Sequence, residues 1–105
     1  MSDIFANVCA LVLQDDWRTS DHALQRLDEY DIMASDLADA IDRGVVIEDY
    51  PSYHAGPCVL VLQADRRGTV HALWGLEADT QRPAVLVTVY RPDRARWHED
   101  NRTRK

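Results

Sequence analysis

His71 is the side chain of this sequence best placed to do chemistry. Between Thr69 and Glu77 the residues alternate, so that Val70, Ala72, Trp74 and Leu76 share one face of a strand while His71 shares the other with Thr69, Leu73 and Gly75. A polar ring therefore stands in the middle of a strand. If the turn over 78–82 sets the register of the following strand, His71 either faces Tyr90 or neighbours Arg91, the two arrangements differing by a one-residue slip. Histidine titrates near neutrality and works as general acid or base, tyrosine can donate a proton or orient a phosphate, and arginine can neutralise developing charge. The competing reading is a satisfied, half-buried histidine packed beside Tyr90.

His22 and Arg26 lie four residues apart, which on a helix sets them one turn apart on the same side, as a grip for an anion. Equally, His22 decorates a helix N-terminus and Arg26 pairs with Asp28 or Glu29. Tyr50-Pro51 and Tyr90-x-Pro92 close two strands, where the rings either cap the sheet edge or line a pocket beside His71. His22, His54, His71, His98 and Cys58 show no metal-ligand spacing, so no metal is expected. The glycines are isolated and form no phosphate-cradling loop, no nucleophile elbow is present, and no cofactor is expected. Cys9 and Cys58 sit singly in apolar runs, which suits two reduced, buried thiols.

These residues need a scaffold, and the periodicity supplies one. Ile4, Phe5, Val8, Leu11 and Val12 mark a first helix that ends before Asp15 and Asp16. The Thr19-Ser20-Asp21 cluster offers an N-cap for a second helix carrying Ala23, Leu24, Leu27 and Tyr30 up to Asp31. Ser35 is expected to cap a short third helix with Leu37, Ala40 and Ile41 inward, and Gly44 to end it in a left-handed conformation. From Val45 the period changes to two. Strands are expected over 45–50, 58–64, 69–77 and 84–91, with Arg66-Arg67-Gly68 as a turn. The expected fold is α+β, with N-terminal helices on one face of a four-stranded antiparallel sheet.

At 105 residues and 46% apolar content the chain is one globular domain, expected over 1–97, followed by a basic C-terminal tail over 98–105. The formal charge of -6 is unevenly distributed: residues 1–65 hold 13 acids against 3 arginines, and residues 66–105 hold 9 basic residues against 5 acids. Such asymmetry marks either a phosphate-facing end or a solvated tail. No apolar run approaches the ~20 residues of a membrane span, and the N-terminus carries acid where a secretory signal needs basic residues. A soluble, cytoplasmic protein that does not engage membrane is expected.

His22-Ala23-x-x-Arg26-Leu27, Asp31-Ile32, the run Gly44 to Pro51, His71-Ala72-Leu73 and the run Val87 to Asp93 with Trp97 together resemble a small bacterial family, domain-of-unknown-function family 4258, over residues 20–97. One departure is Tyr30-Asp31-Ile32, where the family often has Arg before Gly-Ile. The resemblance implies a layout similar to that of small ribonuclease toxins around barnase, EndoU-type nucleases, colicin nucleases and RelE-like toxins. Layout alone does not carry function. The family's characteristic residues that recur here are His22, Arg26, Tyr50, His71, Tyr90 and Trp97.

The leading expectation is thus a metal-independent endoribonuclease, or a toxin-like relative, in which a ribose 2'-OH attacks the adjacent phosphate. His71 and His22 would be the acid–base pair, Tyr90 and Arg26 would orient and neutralise the phosphate, and Arg91 and Tyr50 would bind substrate. RNA is the expected partner, with a cognate antitoxin or other protein as the second. The alternative is a non-enzymatic interaction module that binds a protein through the acidic first helix, and a third is an anion sensor built on the same cluster.

Overall fold

A computed structural model describes residues 2–92. Helix α1 spans Asp3–Leu13, strand β1 Trp17–Thr19, helix α2 Asp21–Tyr30 and helix α3 Ala34–Asp39, followed by a 3-10 turn over Ile41–Arg43. Strands β2 (Val45–Tyr50), β3 (Cys58–Asp65), β4 (Gly68–Leu76) and β5 (Ala84–Tyr90) complete it. The α+β class holds, but the sheet differs from expectation. It has five strands in the order β1-β5-β4-β3-β2 and is mixed, because β1 pairs in parallel with β5 while the other neighbours are antiparallel. Three residues are too few to show a period of two, which is why β1 is silent in the sequence.

Local chemistry explains the helix ends. Ser20 caps α2 as expected: its Oγ accepts from the Ala23 N–H at 2.9 Å and donates to the Val87 carbonyl at 2.8 Å, tying the helix to β5. Asp31 ends α2 in the left-handed conformation at φ 55°. Helix α3 corrects two expectations. It starts at Ala34 behind Met33, so Ser35 lies inside it and caps nothing, and Gly44 is extended at φ -68°. Glycine is needed there for space, since a Cβ would come within 2.5 Å of a Val61 methyl.

The helices cover one face of the sheet. Val8 and Val12 of α1, Ala23 and Leu27 of α2 and Leu37 of α3 share a core with Val59, Val61, Val70, Ala72, Trp74, Leu86 and Val89. Hydrophobic burial drives this layer, and Trp74 is its largest member. Its indole N–H donates to Gln63 Oε1 at 2.8 Å, and Gln63 Nε2 donates to the Leu37 carbonyl at 2.9 Å, which locks α3 to β3 and β4. A Gln63→Leu variant orphans an indole N–H and a carbonyl in the core, and should lower unfolding free energy by about 2 kcal/mol in urea titration. Among the described residues no helix is long and apolar enough to cross a membrane.

Candidate functional site on the face opposite the helices

Because Val70, Ala72 and Trp74 point into the helix-side core, alternation along β4 turns His71 and Leu73 to the other face. There His71 stands in register with Tyr90, and Arg91 is not its partner. Its Nδ1 lies 3.2 Å from the Tyr90 hydroxyl, and the rings meet edge to face with centroids 5.2 Å apart. His71 is 0% exposed, so solvent does not reach the imidazole.

Tyr90 lines a depression of about 210 Å³ with Tyr50, Tyr53, Leu60, Leu73 and Thr88. Two bulges bring the tyrosines to this face. In β5, Leu73 pairs with Thr88 and Trp74 with Leu86, which leaves Val87 as the extra residue and frees Thr88 and Tyr90 from the parity of Leu86. In β2, the register shifts between Val46 and Glu48, so Val46 packs on the core while Glu48 and Tyr50 face away from it. The Tyr50 hydroxyl donates to Glu48 Oε2 at 2.6 Å. Of the three phenols that line the depression, Tyr50 is therefore hydrogen-bonded to a carboxylate and Tyr90 lies against an imidazole.

The third wall comes from the 51–57 loop. Gly56 sits at φ 129° against β4, where a Cβ would lie 2.0 Å from the Leu76 carbonyl oxygen, and the Leu76 N–H donates to the Pro57 carbonyl at 3.0 Å. This close approach fixes the loop and hence Tyr53, whose ring stacks on His54 with centroids 4.6 Å apart. Cys58 also lines the depression, and burial pushes its thiol above the ordinary range, so it stays protonated and is no nucleophile at neutral pH.

The remaining sequence-derived residues lie elsewhere. His22 is exposed on α2 and Arg26 pairs with Glu29 at 2.7 Å. Since Ala23 and Leu27 of that helix pack into the helix-side core, the sheet separates His22 and Arg26 from His71. Arg91 binds Asp65 with both terminal nitrogens, at 2.8 and 3.1 Å, and also reaches the Tyr30 carbonyl at 3.4 Å. The hydrogen bond from Arg91 holds the Asp65 carboxyl below its ordinary value against the opposing effect of burial, helped by the Arg67 and Gly68 N–H groups. Trp97 and His98 lie outside the described residues.

Thus His71, Tyr90 and Tyr50 come together, while His22, Arg26 and Arg91 do not join them. Glu48, Tyr53 and Thr88 belong to the site and were not selected from the sequence. Glu48, two residues from Tyr50, and Thr88, two residues from Tyr90, carried the usable signal, because neighbours at that spacing share a strand face. Among the described residues no three His, Cys, Asp or Glu converge as a metal site requires.

The family model described as "Domain of unknown function (DUF4258)" matches residues 19–91. No curated protein and no solved structure matches the chain.

Proposed function

We propose, for a chain that belongs to the family of domains of unknown function DUF4258, a metal-independent endoribonuclease activity of the toxin type, centred on Tyr90 and Tyr50. The observation that carries the reading is the pair of phenols in one depression, with His71 behind Tyr90 and Glu48 beside Tyr50. In 2'-OH attack one group must take a proton and another must give one to the leaving 5'-oxygen. Tyr50 takes the 2'-proton as its own passes to the Glu48 carboxylate. Tyr90 gives its own phenolic proton to the 5'-oxygen, the phenolate left behind is held by a hydrogen bond from His71 Nδ1–H, and solvent returns the proton to Tyr90 and takes the one on Glu48 after the step. The products are a 2',3'-cyclic phosphate and a free 5'-hydroxyl. Tyrosine walls also suit RNA, whose unstacked bases seek aromatic faces.

Electrostatics sets what this centre offers a phosphate. Five of the seven arginines in residues 2–92 are paired with the chain's own carboxylates, and none of the seven lines the Tyr50–Tyr90 depression. Among the described residues, the hydroxyl dipoles of Tyr50, Tyr90 and Thr88 are what the depression offers to the phosphate charge.

The same arginine pairing favours a second reading, a protein-binding module whose acidic helical layer meets a basic partner. The two separate in one assay: mixed-sequence RNA incubated in EDTA with wild type and His71→Ala, with cyclic phosphate ends measured on the products. The ribonuclease reading expects cleavage by wild type, a loss of at least ~100-fold in folded His71→Ala, and partial rescue by added imidazole. A folded wild type that cleaves nothing, or equal rates for both proteins, transfers the assignment to the binding module.

A further inference from the structure

A second depression, of about 260 Å³, adjoins the first on the same sheet face and shares Tyr53 and Cys58 with it. Arg18 from β1 and Glu77 just past β4 form an ion pair at its edge, their side chains 53% and 38% exposed. From Leu73 to Glu77 the trough runs four residues along β4, about 13 Å at ~3.3 Å per residue. This is longer than one nucleotide needs. Tyr53, on the loop that Gly56 clamps against β4, lines both depressions.

We propose that the Arg18–Glu77 depression is the specificity subsite of the RNA trough and reads a guanine next to the nucleotide held between Tyr50 and Tyr90; this rests on the ribonuclease reading. Guanine is the base whose Watson–Crick edge presents two adjacent donors, N1–H and the N2 amino group, to a carboxylate, and an acceptor, O6, beside them. Glu77 accepts from the two donors while Arg18 donates to O6 or N7. Adenine offers the carboxylate a single amino donor next to a repelling N1 lone pair. Uracil has one N–H between two carbonyls. Cytosine has one amino donor next to two acceptors. Because the ion pair is partly exposed, opening it to admit a base costs little, whereas a fully desolvated pair would resist. Val85 and Val87 give the same lining an apolar part against which a base face can pack.

The test maps cleavage sites of the full chain on a random-sequence RNA by sequencing the cyclic phosphate ends, and in parallel titrates 2'-O-methyl dinucleotides that cannot be cleaved. Wild type is expected to prefer guanine at one fixed position beside the cut by at least ~10-fold over the other bases. It should also bind guanine-containing dinucleotides at least ~10-fold tighter than their inosine counterparts, which lack the N2 amino group. Glu77→Gln, which keeps shape and loses the anionic acceptor, should reduce both preferences to under ~3-fold, with Arg18→Ala weakening them in parallel. Cleavage without a guanine preference, or with one that Glu77→Gln leaves intact, overturns this subsite and spares the ribonuclease reading. Absence of both cleavage and dinucleotide binding in folded wild type overturns the two together.

Discussion

A Tyr90→Phe variant is expected to stay folded and to lose 10²- to 10⁴-fold of the RNA-cleaving rate, the usual contribution of a positioned proton donor. The substitution keeps the ring, and with it the edge-to-face packing on His71, and deletes one hydroxyl 3.2 Å from the imidazole. Loss of that hydrogen bond costs about 1 kcal/mol in stability, too little to unfold a domain of this size. The large effect on rate against the small effect on melting is what separates a group that reaches the reacting atoms from one that merely fills the sheet. His71→Ala behaves differently, because it also removes a fully buried ring and leaves a cavity under Tyr90. Both measurements, single-turnover rate and urea midpoint, belong to the same pair of proteins. Near-wild-type cleavage by Tyr90→Phe would remove the phenol from the mechanism.

How much of this was legible in the sequence depends on which interaction sets each feature. The bounds of β2 through β5 follow from short-range patterning and fall within about one residue of expectation, and the Ser20 cap and the pairing of Arg26 with Glu29 are equally local. The Tyr90 register was one of two that the 78–82 turn allowed. Facing is another matter. A strict period of two puts Leu86, Thr88 and Tyr90 on one face of β5, and Val46, Glu48 and Tyr50 on one face of β2. The bulges at Val87 and Ile47 split both sets, placing Tyr90 and Tyr50 opposite the core that holds Leu86 and Val46. Nothing in six or seven residues of local sequence specifies an extra unpaired residue. The parallel pairing of β1 with β5 depends on contacts between residues 17–19 and 84–86, a separation at which no periodicity survives. For the same reason no local pattern links Arg18 with Glu77, and the place of Tyr53 depends on the approach of Gly56 to β4.

Arg91 shows how the same long-range contacts reassign a residue, and its removal is expected to act on stability. Its guanidinium grips an Asp65 side chain that is only 3% exposed, and it bridges the β3–β4 hairpin to the Tyr30 carbonyl at the end of α2. Arg91→Ala leaves that carboxylate with the Arg67 and Gly68 N–H groups alone, each at 3.0 Å. Truncating one partner of a fully buried pair costs about 3–5 kcal/mol, and because Arg91 is 25% exposed, solvent screens part of this and a loss of about 2 kcal/mol is expected. The Asp65→Ala/Arg91→Ala double variant should therefore be more stable than Arg91→Ala alone, in spite of the additional truncation. The effect carries a pH signature. Arg91 holds the folded Asp65 carboxyl below its ordinary value of 3.8, so the stabilisation is complete above that value and disappears as pH falls through the lower, folded one. The gap between wild type and Arg91→Ala in urea titrations should be full at pH 7 and shrink below about pH 4. Binding a phosphate would require the guanidinium to leave Asp65 and forfeit this same energy. Any fall in cleavage by Arg91→Ala should consequently track its folded fraction. A defect that persists in fully folded protein, at low temperature or in stabilising osmolyte, would restore Arg91 to the substrate site.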